Sequence, residues 1–206
     1  MVAIVDYGMG NLLSVQKALE NLGAQAQVTS SPVVLARAKQ IVLPGVGAFG
    51  DAMKELRRRR LVKPLLGQLR SGVPFLGLCL GLQLLFESSE ESPGVKGLGF
   101  FKGKVKRLRR PSKQLKVPHM GWNQLEFDQK RHPCPLLTGV ANKSFVYFVH
   151  SYAVVPSRSS LIGAKTNYGS RFPAVVWDGH VAATQFHPEK SQRTGLKILK
   201  NFLSWS

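Results

Sequence analysis

The chain has 206 residues and a formal net charge of +18, from 29 lysines and arginines against 11 acids, with 44% hydrophobic content. That length suits a single domain, residues 1–206, with a core of its own. Cys79 and Cys134 share neither C-x-x-C spacing nor the density of a disulfide scaffold, which argues against a zinc site or a staple and for a reducing, cytoplasmic setting. The opening "MVAIVDYGMGN" lacks a basic region followed by a long apolar stretch, so no signal peptide is expected, and no apolar run is long enough for a membrane span.

The charge raises nucleic acid as a partner. It is concentrated in "RRRR" at 57–60 and in "KGKVKRLRRPSKQLK" at 102–116. Neither run is interleaved with aromatics, and no helix-turn-helix or RNA-binding signature stands beside them, so a solvated basic face, or attraction to anionic small molecules or an acidic partner, fits better than specific nucleic-acid recognition.

In chain order, "MVAIVDYG" reads as a strand, and "NLLSVQKALENLG" as a helix with Leu12, Val15, Leu19 and Leu22 at helical spacing and Gly23 as its stop. "AQVTSSP" and "QIVLPGVGAFG" supply two further strands. "DAMKELRRRRLVKPLLGQLRSG" is a helical stretch interrupted at Pro64, before the strand that leads to Cys79. Strands alternating with helices imply a mostly parallel sheet covered on both faces. Beyond about residue 94 the texture changes: "FFKGKVKRL", "WNQLEF", "SFVYFVHSYAVV", "LIGAKTNYG" and "PAVVWDGHVAATQFH" read as strands and turns, largely antiparallel. "GLKILKNFLSWS" closes as an amphipathic helix with Leu196, Leu199 and Leu203 on one side.

In "VPFLGLCLGLQLLF", at 73–86, an apolar strand gives way to a helix carrying Leu80, Leu82, Leu84, Leu85 and Phe86, with Cys79 at the turn. Small neighbours, Gly77 and Gly81, suit a nucleophile elbow that presents the side chain at the sheet's carboxyl edge, at a helix N-terminus whose dipole favours negative charge. The alternative is a small apolar residue buried like many cysteines. Ligands of doubly wound sheets bind beyond the carboxyl ends of the strands. Two other features fall there: the Gly-rich turn "LPGVG" at 43–47, whose N–H groups suit an oxyanion, and "QFHPEKS" at 185–191. In an extended segment His187 and Glu189 would share a face, so that the carboxylate supports the imidazole, with Pro188 disturbing the path between them. Cysteine, histidine and acid together make the set needed for nucleophilic catalysis.

A PGxG turn, then G-x-C-x-G, then H-P-E, in that order, resembles the class I glutamine amidotransferases. "DYGMGNLLSV", "LCLGLQLLFE", "PGVKGLG", "PHMGWN" and "YFVHSY" extend the likeness over nearly the whole chain, to the branch that serves imidazole glycerol phosphate synthase in histidine biosynthesis. The resemblance implies a flavodoxin-like α/β fold with a mostly parallel central sheet, helices on both faces and a smaller antiparallel region in the C-terminal half. It implies a Cys79–His187–Glu189 triad that hydrolyses glutamine through a thioester, with oxyanion donors from Leu80, Gly45, Val46 and Gly47. Gln83 and His150, Ser151 and Tyr152 are then substrate contacts, burial in the core being the alternative for each. No cofactor or metal is implied, and no membrane. With no acceptor site of its own, such a chain would form a heterodimer with a (β/α)8-barrel cyclase that receives the ammonia. Asn11, Trp122, Tyr147 and Lys190 lie in motifs that would border that interface; for Trp122 and Tyr147 core packing is the alternative, and for Lys190 simple exposure. Rival readings are a glutaminase of another class I synthase, a stand-alone cysteine hydrolase, and a basic binding module on an inactive copy of the fold.

Overall fold

Val2–Val5, Gln40–Leu43, Phe75–Leu78 and Val181–Thr184 are buried at every position, as strands covered on both faces must be. The computed structural model describes residues 1–109, 115–130 and 133–205. Its first half runs β1 (Val2–Val5), α1 (Leu12–Glu20), β2 (Ala26–Thr29), α2 (Pro32–Ala36), β3 (Gln40–Leu43), α3 (Phe49–Arg58), α4 (Val62–Arg70), β4 (Phe75–Leu78) and α5 (Leu80–Leu84). Strands β5 (Ser88–Ser89), β6 (Gly103–Arg107), β7 (His119–Gln124), β8 (Phe145–His150) and β9 (Tyr152–Pro156) follow. The chain then forms β10 (Ile162–Asn167), β11 (Arg171–Asp178), β12 (Val181–Thr184) and α6 (Gln192–Leu203).

The main sheet has seven strands in the order β10-β11-β12-β4-β3-β1-β2. Strands β2, β1, β3, β4 and β12 are parallel, and β11 and β10 extend them antiparallel. Side chains alternate across this sheet into two cores. Ala3, Val5, Ile41, Leu43, Phe75 and Ala183 pack on one face with Leu35, Met53, Leu56, Leu65 and Leu69 of α2, α3 and α4. Val2, Ile4, Val42, Leu76, Leu78 and Ala182 pack on the other with Val15, Leu19, Ile198 and Phe202 of α1 and α6. Strand β6 pairs antiparallel with β9 and β7 antiparallel with β8, forming two small sheets.

Three local expectations are corrected. The helical stretch breaks not at Pro64 but at Arg59–Leu61, where Arg60 takes a left-handed φ of 58°. Pro64 sits in the first turn of α4, where its missing N–H removes no helical bond. In α6 the buried stripe is Gly195, Ile198, Leu199 and Phe202, leaving Leu196 37% exposed. Helix α5 ends at Leu84, and Leu85 and Phe86 pack in the core beyond it.

In the arginine run Arg57, Arg58 and Arg60 are exposed, and three of the four are tied to neighbours. Arg57 donates to the Lys96 carbonyl at 2.5 Å, Arg58 meets Glu55 at 2.7 Å, and Arg59 lies 3.7 Å from Asp6. Of the second basic run, residues 110–114 lie outside the described residues. No helix among the described residues is long and apolar enough to cross a membrane.

Candidate active site

Because β1, β3, β4 and β12 are parallel, their carboxyl ends lie along one edge, and each delivers a candidate segment there: "DYGMGN", "PGVG", Cys79 and "QFHPEK". Cys79 adopts φ 53° and ψ −102°, outside the normal ranges for a residue with a Cβ. The elbow forms because its neighbours are small: a Cβ on Gly81 would run into the Leu43 carbonyl, and one on Gly77 would lie 2.9 Å from the backbone of Gly81. The Cys79 N–H donates to the Thr184 carbonyl at 2.7 Å, fixing the elbow to β12.

His187 lies three residues past β12 and opens the 3₁₀ turn Pro188–Lys190, so the path to Glu189 is turned rather than extended. The turn still brings His187 Nδ1 to 2.8 Å from Glu189 Oε1, with both side chains at least 96% buried. With Nδ1 committed, the buried Nε2, which has no hydrogen-bond partner among the described residues, is the nitrogen left to exchange a proton with Cys79. Burial opposes a charged ring there, but the Cys79 sulfur and the Glu189 carboxylate outweigh it and raise the His187 pKa from 6.5 to about 10.

A cavity of about 340 Å³ opens above the sulfur, lined by Val46, Gly47, Cys79, Leu80, Gln83, Glu91, Pro118 and Val149–Tyr152. Seven expected residues therefore line one space with Cys79: Val46, Gly47, Leu80, Gln83, His150, Ser151 and Tyr152. The Gln83 amide donates to the Tyr152 carbonyl at 3.0 Å and to Gln185 Oε1 at 3.3 Å, so both of its N–H bonds are spent on the protein. In the "PGVG" turn, the Tyr7 hydroxyl donates to the Pro44 carbonyl at 2.9 Å, and a Cβ on Gly45 would collide with that hydroxyl. The Leu80 N–H is not free: it donates to the Gly45 carbonyl at 3.3 Å.

Four expected residues do not line this cavity. Asn11 caps α1, accepting from Ser14 N–H at 3.3 Å. Trp122 is 46% exposed and packs edge-on against Tyr147, ring centroids 6.0 Å apart, so the pair lies on the outer face of the β7–β8 ribbon rather than in the core. Lys190 is exposed.

Sequence reasoning missed Gln185, which is fully buried and donates to Cys79 Sγ at 3.8 Å. It stands two residues before His187 in the same motif, where the sequence shows only a strand-end amide. It also missed Glu91, which lines the cavity and accepts from Phe49 N–H at 2.8 Å at the start of α3, and which nothing in "ESSEESPG" distinguishes from its acidic neighbours.

A model of the class I glutamine amidotransferases matches residues 3–205. The chain belongs to that family. It is 52% identical to imidazole glycerol phosphate synthase subunit HisH of Syntrophotalea carbinolica, over 98% of each chain. To the same subunit of Geobacter sulfurreducens it is 51% identical, over 98% of this chain and 97% of the relative. The solved structure of PurLQS from Thermotoga maritima superposes with a TM-score of 0.75 at 19% identity, over 98% of this chain and 96% of the other. That likeness speaks for the fold alone. The amidotransferase fold thus has the mostly parallel sheet and the antiparallel C-terminal additions expected from sequence.

Two further buried histidines adjoin the amidotransferase cavity, and their ionisation gives a stability test. Burial pushes His119 down to about 4, and burial together with the nearby His119 and His187 pushes His150 down to about 3, against an ordinary 6.5. Below pH 6.5 the unfolded chain takes up protons that the folded chain refuses, so stability falls as pH falls. Between pH 6.5 and 5 each histidine is expected to remove roughly 2 kcal/mol. Thermal unfolding across that window should fall more steeply for the wild type than for His119→Asn; equal slopes would show that His119 is not held neutral.

Proposed function

We propose that this chain is the glutaminase subunit of an imidazole glycerol phosphate synthase, acting in the cytoplasm as one amidotransferase domain over residues 1–206. The observation that carries the reading is the buried His187–Glu189 pair, 2.8 Å apart, beside an elbow cysteine at the floor of a cavity sized for an amino acid. In the reaction, His187 Nε2 holds the proton given up by Cys79, as its raised pKa favours, while the sulfur attacks the side-chain amide carbon of glutamine. The tetrahedral oxyanion is received by backbone N–H groups of Leu80 and of the Gly45–Gly47 turn, each donor worth ~3 kcal/mol. The carbon–nitrogen bond breaks as His187 returns the proton to nitrogen, releasing ammonia and leaving a γ-glutamyl thioester. Water, deprotonated by His187, then attacks the thioester, and glutamate leaves as the proton returns to sulfur. Gln83, His150, Ser151 and Tyr152 line the space the substrate fills, the N–H groups of Gln83 and His150 being spent on the protein, and Glu189 orients the imidazole. These steps require no cofactor.

Ammonia needs an acceptor, and we place it on a (β/α)8-barrel cyclase that forms a heterodimer with this chain and yields imidazole glycerol phosphate and an aminoimidazole carboxamide ribotide. The outer face of the β7–β8 ribbon supports a docking surface: Met120 is 62% and Trp122 46% exposed, with Tyr147 alongside. Asn11 and Lys190, both exposed, complete the proposed border.

Glutamate release by the assembled complex tests the triad. His187→Asn should slow it roughly a thousandfold or more, since both proton transfers pass through that ring, while Glu189→Gln should keep the fold and lose a smaller factor. Wild-type turnover in both variants would remove His187 and Glu189 from the mechanism.

A further inference from the structure

The hydrogen bonds of the two histidines beside the cavity run in only one sense. The Tyr152 carbonyl can only accept, so at 2.8 Å His150 Nδ1 must carry the proton. A neutral His150 ring then has Nε2 as acceptor, and His119 Nδ1, 3.1 Å away, must be the donor. His119 Nε2 in turn accepts from Asn123 Nδ2 at 3.3 Å, while the second N–H of that amide goes to the Asn167 carbonyl at 2.9 Å. The Tyr152 carbonyl also receives Gln83, whose other N–H goes to Gln185, whose own amide donates to the Cys79 sulfur. One connected polar network thus links Asn123 on β7 to the nucleophile. His119 is clamped by rings, stacked on Phe148 and Tyr168 at centroid distances of 4.8 and 4.1 Å. Its ribbon carries Trp122 and Tyr147 on the opposite, outer face.

We propose that His119 and His150 are positioning residues that fix the Tyr152 carbonyl, and through Gln83 and Gln185 the Cys79 sulfur, so that the inner face of the β7–β8 ribbon sets the reactivity of the nucleophile. The inference rests on Cys79 being that nucleophile. Gln185 is the member that touches the reacting atom. A chain of fixed polarity suits the task because each donor has one available acceptor, and reversing any ring leaves two acceptors or two donors face to face. The depressed ionisation of both rings keeps the polarity fixed through the neutral range, His119 and His187 each adding to the depression of His150.

The test is the rate of Cys79 alkylation by iodoacetamide in the full-length chain, read at the Cys79 peptide by mass spectrometry from pH 5 to 10. His119→Leu, which removes the donor to His150, and Gln185→Leu, which removes the donor to sulfur, should each slow alkylation at neutral pH about tenfold and move its rise to higher pH. His119→Asn keeps a donor near the Nδ1 position and should stay within about twofold of wild type. The double variant His119→Leu with Gln185→Leu should be no slower than the slower single variant, because both cut the same chain. Additive losses, wild-type alkylation in His119→Leu, or equal losses in the Leu and Asn variants would overturn the proposal while leaving the triad standing. Wild-type Cys79 that resists alkylation altogether would remove the nucleophile, and the chain with it. Nitrogen-15 NMR of the wild type supplies a check that needs no variant to fold: both rings should be neutral Nδ1–H tautomers at pH 6, and an Nε2–H form on either ring overturns the inference.

Discussion

Replacing Cys79 by serine is expected to abolish glutamate release from glutamine while leaving synthesis from added ammonium salts intact in the assembled enzyme. The loss should be a thousandfold or more, on the order seen when a nucleophile acting with its base is removed. Serine preserves the size of the side chain and the backbone at φ 53°, so the elbow, its bond to Thr184 and the cavity should persist. What changes is the atom. A hydroxyl gives up its proton far less readily than a thiol, and without the sulfur beside it His187 loses the neighbour that most raises its affinity for a proton. The second thiol supplies the control. Cys134, just ahead of the 3₁₀ turn Pro135–Leu137, is buried in the core that holds Leu136, Leu137 and Phe202, and burial raises its pKa to about 11. Cys134→Ala should cost on the order of 1 kcal/mol of stability and leave turnover within about twofold. Loss of ammonia-dependent synthesis in Cys79→Ser would mean that the residue supports the acceptor chemistry instead.

The strand ends were readable because each candidate residue sits immediately after a buried apolar run, and a parallel sheet gathers such positions at one edge whatever their order in the chain. Cys79 and His187 are 108 residues apart, yet the pairing of β4 with β12, Leu78 opposite Thr184, brings their segments together. What could not be read was register. The meeting of His119 with His150 depends on which residues of β7 and β8 stand opposite each other, and "PHMGWN" and "FVHSY" give no local sign that their histidines are paired. The role of Gln185 was hidden for a related reason. A strand-end amide is chemically plain until the elbow of another strand puts a sulfur 3.8 Å from it. Leu196 misled because helical spacing alone cannot choose between two adjoining stripes of α6, and Gly195 lets the helix lie against the Pro188 backbone, where a Cβ would collide. That contact turns Leu196 outward.

The isolated chain is expected to hydrolyse glutamine poorly and to gain roughly two powers of ten in turnover once the cyclase subunit is bound and occupied by its nucleotide. The reason lies in one peptide. The Leu80 N–H, a natural oxyanion donor, is engaged by the Gly45 carbonyl at 3.3 Å, so a developing oxyanion meets an oxygen where it needs hydrogens. Rotating the peptide between Gly45 and Val46 would carry that carbonyl away and bring the Val46 N–H into its place, converting one obstruction into a second donor. The rotation can stay local, because the Tyr7 hydroxyl anchors Pro44 at 2.9 Å on one side and Gly47, with φ 98°, tolerates change on the other. The loop ahead of α1 is placed to bias it: a side chain at Gly10 would touch the Gly45 backbone, and one at Gly47 would meet Met9. A partner bound at Asn11, as proposed, would act on the turn through Met9 and Gly10. A bias of about 3 kcal/mol is enough for the expected rise. Glutamate release by the chain alone, by the complex, and by the complex with its nucleotide decides the matter. A lone chain already working at the fully stimulated rate would mean that the Gly45 carbonyl is no obstruction, and that Leu80 alone, or a turn rotated without help, suffices to hold the oxyanion.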